Sequence, residues 1–465
     1  MIAEFFRLLS DWIPLDSWMV VTGALAAMSC ALPGVWLLLR RQCLLGDALS
    51  HSILPGIVLA YLAMYSLEKA GWVAHDSEWR HAAIFLGAAL SGVLSAVLTE
   101  SIQRWGRVER GAAIGVVFTS MFALGILLIR MFADKSHVDP GCVLYGNLET
   151  SAMVGWTRSL PIPQAAVING AILLINLLLV IAFFKELKLS TFDPELAEAV
   201  GLSANWIQLV LMAITAATLV AAFESVGAIL VIAMLIVPAA TARLLTDRLS
   251  LMLVISLIMA AMSSLLGHVG ARTLPVMLFS RLGYPEVTGA GTTGMMAMAS
   301  GLLFATAVLV SPRHGVIRRF VDQIGLQIRI AGEDILGALY RHDEANLALA
   351  GATTLEQVNL VDHSVWIDWL ARRQLHRQGL VTTPLTSAQL TEKGRSLALN
   401  LVRSHRLWET YMSRHFVLPD DHLHATAEKV EHFLDTQLQT ELAAELDQPV
   451  TDPHGKVIPP SLEQP

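Results

Sequence analysis

Long apolar runs separated by short polar connections fill the first two thirds of the chain. A helix needs about 20 consecutive apolar residues to cross a bilayer, and nine runs approach that length. Run 44–65 is short and contains Pro55 and Gly56, and two later runs stand close together. The number of membrane crossings could therefore also be eight or ten. Pro238 predicts a kink in the seventh run. The runs cover approximately residues 17–39, 44–65, 82–100, 111–132, 163–184, 205–223, 226–245, 250–268 and 288–311. This pattern predicts an all-α polytopic membrane protein with eight to nine transmembrane helices over residues 1–320.

The remaining residues, 321–465, follow a different pattern, in which apolar positions return every three or four residues. That period is typical of amphipathic helices in a soluble domain. A basic helix ends at Gly379, and a short stretch with the composition of a β-turn, TTPLTSAQLTEKGR, follows it. Helices followed by such a turn predict a winged helix-turn-helix, so we expect a small α+β domain after the membrane helices.

Composition agrees with this division. Hydrophobic residues make up 54% of the chain and charged residues only 15%, which argues against an ordinary soluble protein. From Asp322 onward there are 12 basic against 20 acidic side chains, a net charge of −8, and nine of the 15 histidines. This acidic, histidine-rich part suits metal binding better than nucleic-acid binding. Cys30, Cys43 and Cys142 are scattered without a CxxC motif, which argues against a disulfide framework.

Basic residues follow every second run and predict the orientation of the helices. Positively charged connections lie on the cytoplasmic side, which places the N-terminus outside and the acidic domain inside. The first residues, MIAEFFRLLSDWIPLDSW, lack a basic n-region and a cleavage site, so we interpret them as a retained interfacial segment. The connections carry Arg40, Arg41, Arg104, Arg107, Arg110, Lys185, Lys188, Arg243, Arg248, Arg313, Arg318 and Arg319.

Asp47 and His51 are a pair of ionisable residues within an apolar run. Their four-residue spacing puts them on one face of a helix, where a carboxylate and an imidazole could briefly hold a divalent cation. The alternative is that Asp47 caps the helix and His51 is a hydrogen-bonded core histidine. Glu224, at the outer edge of a run, and His268, at the end of another, are further candidates for a translocation path.

The connection 185–203 is neither apolar enough to cross a membrane nor polar enough for a plain linker. Its amphipathic pattern, with Asp193 as a helix cap, predicts a short helix at the cytoplasmic face that a partner protein could push. This connection and three other stretches resemble the permease subunits of manganese, zinc and iron ABC importers, in the same order over residues 15–320. The four stretches are RRQCLLGDALSHSILPG, KELKLSTFDPELAEAVGLS, ESVGAILVIAMLIVPAATARLL and GAGTTGMMAMASGLLF.

The resemblance implies a dimeric pore of two identical or two different permease subunits in a bacterial plasma (inner) membrane, surrounded by lipid. It implies a cytoplasmic ATPase and an extracytoplasmic metal-binding protein as partners, with Asp47 and His51 on the translocation path. The chain contains no GxxxxGK[ST] motif, so we expect a transporter subunit and not an enzyme, with ATP hydrolysis supplied by a separate polypeptide. The residues implied to contact the ATPase are Asp193, Glu195, Leu196 and Gly201.

A second candidate site lies in the acidic domain. Glu428, Glu431 and His432 stand at positions i, i+3 and i+4, on one face of a predicted helix. With His405 and Glu409 they could form a mixed nitrogen and oxygen site for manganese, iron or zinc. A surface stripe of ion pairs is the alternative, which the lack of basic partners disfavours.

The same domain resembles the diphtheria-toxin-repressor family of metal-dependent regulators, through LTEKGRSLALNLVRSHRLWETYM, HATAEKVEHFL and DPHGKVIPP. The resemblance implies a winged helix over 321–398 and metal-binding and dimerisation helices over 399–465. Glu428 stands where iron-type members have cysteine, which favours the manganese type, whereas Gly337 departs from the manganese type, which has a carboxylate there. The implied metal ligands are Asp334, His405, Glu428, Glu431 and His432, with His424 and Glu409 at an ancillary site.

We therefore predict the transmembrane subunit of an ATP-driven importer of divalent cations, foremost manganese and otherwise iron or zinc, with a fused metal-sensing domain. The alternative is a membrane-tethered, metal-dependent transcription regulator. DNA is the weaker partner, because the predicted recognition helix carries Trp366 and Trp369 where polar base-reading side chains would sit. Its Arg372, Arg373 and Arg377 suit a solvated face as well as phosphate contacts.

Overall fold

The computed structural model divides the chain into two compact units, Met1–Arg318 and Arg319–Pro465. We call them the membrane unit and the C-terminal unit. The predicted domain identities, with the subdivision at residue 398, stay predictions, because compactness alone identifies neither a winged helix nor a dimerisation domain. The described residues are 12–72, 79–133, 148–153, 155–157, 160–279, 283, 289–313, 315–346, 364–383, 388–416 and 426–461.

Proline stands in the first turn of two of the first five helices of the membrane unit. The helices are α1 (Pro14–Leu39), α2 (Cys43–Ser52), α3 (Leu54–Lys69), α4 (Trp79–Gly106) and α5 (Arg110–Leu128), with a π-helical end at Ile129–Ala133. The predicted run 44–65 forms two helices, because the chain turns at Ile53 and Pro55 stands in the first turn of α3. Proline is tolerated there, since the first N–H groups of a helix have no intrahelical partner.

A small hairpin and four helices follow. They are α6 (Leu148–Ser151), β1 (Gly155–Thr157), β2 (Leu160–Pro163), α7 (Gln164–Ala182), α8 (Phe184–Phe192) and α9 (Pro194–Ala199). The two strands pair antiparallel, with Gly155 opposite Pro163. The connection 185–203 thus contains most of α8 and all of α9. Asp193 Oδ1 accepts a hydrogen bond from the backbone N–H of Leu196 at 3.0 Å, which confirms the predicted helix cap.

The longest helix, α10 (Ala204–Leu245), joins two of the predicted runs. Its backbone breaks at Gly227, where φ is 77° and ψ is 165°, a conformation that glycine adopts without a steric penalty. The interruption therefore lies at Gly227, and Pro238, where a kink was predicted, stays inside the helix. The next helix, α11 (Leu249–Phe279), continues past His268, so the prediction that this span ends at His268 is wrong.

Eight helical stretches among the described residues are long and apolar enough to span a membrane, and one of them, Cys43–Lys69, consists of α2 and α3 together. The last of them is α12 (Thr292–Val310). A further apolar helix, Ile229–Leu245, is shorter and forms the second leg of α10. The predicted all-α polytopic fold with eight to nine transmembrane helices is confirmed.

Helix α1 supplies much of the buried core of the membrane unit. Its Cys30 and Trp36 are fully buried. A Cβ atom on Gly34 would lie 1.8 Å from the carbonyl oxygen of Leu235, and a Cβ atom on Gly46 would lie 2.1 Å from the Leu235 side chain. These two glycines therefore let α10 pack directly against α1 and α2.

The C-terminal unit is built from helices, with two isolated β bridges. Its elements are α13 (Val316–Asn346), which begins in the membrane unit, α14 (Val365–Arg377), α15 (Glu392–His415), a 3₁₀ turn (Glu431–Phe433) and α16 (Thr436–Glu445). Ile335 of α13 and Ile367 and Leu375 of α14 belong to one core cluster. A bridge between Val381 and Leu390 closes the turn that was expected to form the wing.

The predicted metal-binding helix is interrupted. Residues 426–430 are helical, but the backbone tightens into the 3₁₀ turn at Glu431. A new helix, α16, begins after Asp435, whose side chain caps it. Glu428 precedes this turn and does not join the three-residue group that Glu431 and His432 form with Asp334.

Candidate functional site

Three buried side chains of the C-terminal unit meet in one place. Asp334 comes from α13, and Glu431 and His432 come from the 3₁₀ turn. One potential ligand atom of each lies within 4.8 Å of the other two. The exposed fractions are 5% for Asp334, 2% for Glu431 and 9% for His432. Two carboxylates and an imidazole this close together form a donor set that can hold a divalent cation.

Two acidic side chains of α13 position His432. Its Nε2 lies 3.2 Å from Asp334 Oδ1, and its Nδ1 lies 2.8 Å from Glu333 Oε2. Burial alone would lower the pKa of this imidazole, but its hydrogen bonds to Asp334 and Glu333 and the charge of Glu431 outweigh burial and raise the pKa to about 9. In the metal-free protein at neutral pH the ring is therefore an imidazolium, which must lose a proton before it can bind a metal ion.

His405 of α15 contacts the other side of Glu431. Its Nδ1 lies 2.5 Å from Glu431 Oε2, and its Nε2 lies 3.1 Å from Glu409 Oε1. Burial lowers the pKa of the His405 imidazole, but the hydrogen bonds to the two carboxylates prevail and raise it. His454 Nε2 approaches the same Glu409 oxygen to 3.9 Å. Acidic and imidazole side chains thus form a connected cluster from α13 to α15.

The second oxygen of Glu431 tests whether a metal ion fits this cluster. Glu431 Oε1 is buried and has no hydrogen-bond partner among the described residues. A buried carboxylate oxygen without a partner is costly, and a bound cation would remove that cost. The donors are nitrogen and oxygen only, since no cysteine follows Cys142 in the chain. Such donors suit manganese, and also iron or zinc, so the residues present fit a divalent metal ion.

The structure brings part of the predicted ligand set together and leaves part of it out. Glu428 is half-buried and lies outside the three-residue group. His424 lies outside the described residues. The predicted ligands that meet, directly or through a hydrogen bond, are Asp334, His405, Glu409, Glu431 and His432. Their role as metal ligands stays a prediction.

Sequence reasoning missed two members of the cluster, Glu333 and His454. Glu333 directly precedes Asp334, and consecutive helical residues normally point in different directions, so adjacency was no reason to include it. His454 lies in the DPHGK stretch, which carried part of the family resemblance. Only the fold, with its bridge between Thr451 and Val457, brings that stretch back towards α15.

In the membrane unit, Asp47 and His51 lie together on α2, but the contact between their side chains is long. His51 Nε2 is 3.7 Å from Asp47 Oδ1, and the side chains are 28% exposed for His51 and 48% exposed for Asp47. Phe118 and Phe122 of α5 flank the imidazole, with ring centroids 5.5 and 5.3 Å away. Gln42, and not Asp47, stands at the N-cap of α2, so the capping alternative is wrong. Both side chains remain accessible to a cation.

The other predicted path residues have different surroundings. His268 Nε2 is 3.1 Å from Asp16 Oδ1, and its Nδ1 is 3.3 Å from Thr292 Oγ1. Arg272, one turn further along α11, donates to the second oxygen of Asp16. This buried ion pair joins α1, α11 and α12, and no described contact links it to the pair on α2. Glu224 lies in α10 just before its break, and its side chain is outside the described residues.

Hydrogen bonds from an arginine help to join the predicted coupling segment to the membrane helices. Arg40, at the end of α1, donates to Ser190 Oγ at 2.8 Å and to Thr191 Oγ1 at 3.0 Å. The predicted ATPase contacts are all exposed: Asp193, Glu195, Leu196 and Gly201. An exposed leucine among polar groups on two short helices forms a surface that a second protein could cover.

Comparison with known proteins identifies both parts of the chain. Residues 15–276 match the model of the ABC 3 transport family. The chain belongs to this family. Residues 391–460 of this ABC 3 permease match a second model, the iron dependent repressor, metal binding and dimerisation domain. Both resemblances expected from the sequence are confirmed, and so is the fusion of a permease to a repressor-type domain.

Relatives of this permease include proteins named for metal transport. The manganese transport system membrane protein MntD of Bacillus subtilis is 37% identical over 322 residues, which cover 68% of this chain and 99% of MntD. The zinc transport system membrane protein TroD of Treponema pallidum is 36% identical over 390 residues, 82% of this chain and 96% of TroD. Among solved structures, PsaBC from Streptococcus pneumoniae in complex with Fab has 28% identity and a TM-score of 0.51, and the match covers 68% of this chain and 98% of that one.

Proposed function

We propose that this permease is the transmembrane subunit of an ATP-driven importer of divalent metal cations, with manganese as the main cargo and iron or zinc as alternatives. The observation that carries the proposal is the alignment with the manganese permease MntD over 99% of its length. The nitrogen and oxygen cluster of the C-terminal unit supports manganese as well, because carboxylate oxygens are ligands that manganese prefers.

The proposed transporter needs further subunits. A separate ATPase would dock on the exposed surface of α8 and α9, and Arg40 would transmit its movement to α1 through Ser190 and Thr191. An extracytoplasmic metal-binding protein would deliver the cation, and a second permease subunit, identical or different, would complete the pore. Arg243 and Arg313, near the ends of α10 and α12, both pair with Asp247, so these two basic helix ends lie on the same side of the membrane unit. Because basic connections lie on the cytoplasmic side, this charge pattern supports a cytoplasmic C-terminal unit.

In this proposal Asp47 and His51 hold the cargo cation only briefly. Asp47 supplies a negative charge, and His51 supplies a ring nitrogen when it carries no proton there. Their single 3.7 Å contact costs little to break, so both side chains can turn towards a passing ion. A permeation site must bind weakly enough to release its ion, and two accessible ligands meet that requirement better than a buried cluster does.

The C-terminal unit is proposed to act as a sensor that slows transport when cytoplasmic metal is plentiful. Asp334, Glu431 and His432 would bind a divalent ion. The positive charge of that ion would give Glu431 Oε1 the partner that it lacks among the described residues. His432 would give up its proton in the same step. The metal-free and metal-bound units then differ in charge and in the contacts of His432. Such a difference can shift the balance between two states of a transporter by a few kcal/mol.

Uptake of radioactive manganese into proteoliposomes with the ATPase and the binding protein tests the transport proposal. Asp47→Asn should lower uptake more than tenfold, which corresponds to about 1.4 kcal/mol in the transport barrier. Asp247→Asn is the matched control, since Asp247 is an exposed aspartate of the same unit. Normal uptake by the Asp47 variant would remove this residue from the path.

Vesicles preloaded with Mn(II) test the sensor. Loading should inhibit the wild-type protein but not Glu431→Gln. Glu441→Gln is the control, because Glu441 is an exposed glutamate of α16 that contacts Gln437 and not the cluster. Equal inhibition of all three proteins, or of none, would contradict the sensor role.

The alternative function, a membrane-tethered transcription regulator, is favoured by the repressor-type match of residues 391–460. The surface of α14 argues against it. Arg372 Nε donates to Asp368 at 2.9 Å, and Arg373 lies over the exposed Trp369 ring at 5.2 Å, so both cations already have partners on their own helix. Selective operator binding by the full chain in Mn(II) would favour the regulator over the sensor.

A further inference from the structure

A large apolar cavity lies in the membrane unit between α1, α7, α8 and α10. Its volume is about 240 Å³, and its lining includes Val180, Leu187 and Leu211. Helix α7 ends at Phe183, a lining residue whose φ is −107° and ψ is 25°. Arg40 joins α8 to the end of α1 by hydrogen bonds. The cavity therefore lies at the junction of a membrane span and the coupling segment.

Two polar atoms of the cavity lining lack hydrogen-bond partners. Trp36 is completely buried, and its Nε1 donates to no acceptor among the described residues. Glu186 Oε2 is also buried and accepts no hydrogen bond there. A third polar lining residue, Asn176, donates to Thr218 Oγ1 at 2.9 Å and to a backbone oxygen of α1. One donor and one acidic acceptor without partners thus belong to residues that line the same apolar space.

We propose that this cavity binds one phospholipid with a primary-amine headgroup, of the phosphatidylethanolamine class. The acyl chain would cover the apolar lining, an ester carbonyl would accept a hydrogen bond from Trp36 Nε1, and the ammonium group would donate to Glu186 Oε2. Lys185 and Lys188 are exposed on either side of Glu186 and would face the phosphate. Each charged part of this headgroup then has an opposite charge on α8.

The place of the cavity supports a lipid as its occupant. Helix α7 is one of the membrane spans, and the cavity lies where that span ends. Phe183 and Trp206, both in the lining, are 53% and 67% exposed. Aromatic side chains concentrate at this boundary between lipid tails and headgroups. Ordered water is the competing occupant, but a water molecule needs two to four polar partners, and most of this lining is apolar.

Lipid retention tests the proposal on the full chain. The protein is exchanged in detergent against phosphatidylethanolamine, phosphatidylcholine and phosphatidylglycerol in equal amounts, washed, and the retained lipid is measured by mass spectrometry. Glu186→Gln removes the charge without changing shape, Trp36→Phe removes the donor, and Ile207→Trp fills the space. Leu174→Trp is the control for the added bulk, because Leu174 lies on α7 outside the cavity and is 56% exposed.

Wild type and Leu174→Trp should retain phosphatidylethanolamine over the other two lipids. Glu186→Gln should lower that preference at least about tenfold, the effect of losing one charge-assisted hydrogen bond. Trp36→Phe should weaken retention of all three lipids, and Ile207→Trp should abolish it. Equal retention of the three lipids by wild type, no retained lipid at all, or retention by Ile207→Trp that matches Leu174→Trp would each overturn the proposal. None of these outcomes depends on which ion is transported.

Discussion

Asp16 with His268 in the membrane unit and Asp334 with His432 in the C-terminal unit are both buried pairs of a carboxylate and an imidazole. The Nε2–Oδ1 distances are alike, 3.1 Å in the first pair and 3.2 Å in the second. Their surroundings differ in charge. Arg272 contacts the second oxygen of Asp16, whereas α13 and the 3₁₀ turn add two more carboxylates around the second imidazole.

This difference separates a cluster that is complete as an ion pair from one that we propose to bind a metal ion. The fixed guanidinium of Arg272 balances the Asp16 carboxylate, so the first cluster is complete as it stands. In the second, Arg329 pairs with Glu333 but is itself 61% exposed, and Glu431 Oε1 has no hydrogen-bond partner among the described residues. Excess buried negative charge of this kind is stabilised by a bound cation. The same residue types therefore predict different roles in the two clusters. The difference is the neighbouring Arg272, which balances the carboxylate in the first cluster only.

The largest effect is expected from removing that arginine. Arg272→Met should destabilise the membrane unit by about 3 kcal/mol, because it leaves the Asp16 carboxylate buried beside an imidazole alone. Thermal unfolding of the full chain in detergent measures the loss, and Mn(II) should not restore it. Arg313→Met removes an exposed partner of Asp247 and should change stability by less than about 1 kcal/mol. Similar losses of stability in the two variants would show that the ion pair between Arg272 and Asp16 contributes little to the stability of the membrane unit.

A pH series on the metal-free protein should reveal the charge on His432. Its pKa of about 9 in the folded protein lies above the ordinary value of 6.5. The stabilisation is therefore complete below about pH 6.5 and is lost as the pH rises through 9, and we expect a loss of about 2 kcal/mol between pH 7 and 9. The raised pKa of His405 acts in the same direction.

Thermal unfolding with a chelator present measures this dependence. His432→Gln should flatten the curve between pH 7 and 9, whereas His376→Gln, which changes an exposed histidine of α14, should not. A curve of unchanged slope in the His432 variant would contradict the assigned charge.

The metal affinity itself should fall when the buried carboxylate is neutralised. Glu431→Gln should weaken Mn(II) binding by the full chain at least tenfold, about 1.4 kcal/mol, because it removes the charge of the most buried donor. The loss of the free Mn(II) signal in electron paramagnetic resonance gives the affinity. Glu441→Gln, on the exposed side of α16, should bind as wild type does. Unchanged affinity in Glu431→Gln would place the site elsewhere.

The smallest effect, below about twofold in Mn(II) affinity or 0.4 kcal/mol, is expected from Glu428→Gln. The family resemblance makes Glu428 a ligand, but the interrupted helix leaves it half-buried and outside the group. The same spectroscopic titration decides between the two. A loss as large as that of Glu431→Gln would mean that metal binding extends the helix through residue 431.

The membrane helices could be predicted because one physical length, the thickness of the bilayer, selects them. The break in α10 was predicted only approximately, as the gap between runs 205–223 and 226–245, and only packing decides that the chain turns at Gly227. The cluster around Glu431 was also predicted only in part. Periodicity assumes that a helix continues, and the capping residue Asp435 was the signal that a new helix begins. The contact between Glu333 and His432 joins residues 99 positions apart, which no local pattern encodes.

The close approach at Gly34 and Gly46 has a consequence for how far this sequence can vary. Leu235 occupies the volume that a side chain would need at either glycine. Gly111 and Gly115 of α5 face open space instead. In a library of all single substitutions, Gly34 should therefore reject even alanine, because its close neighbour is a backbone oxygen, and Gly46 should accept alanine only if the Leu235 side chain shifts, whereas the other two positions should accept many residues. If α5 tolerates substitutions and the junction of α1, α2 and α10 does not, that junction would be the least evolvable part of the membrane unit.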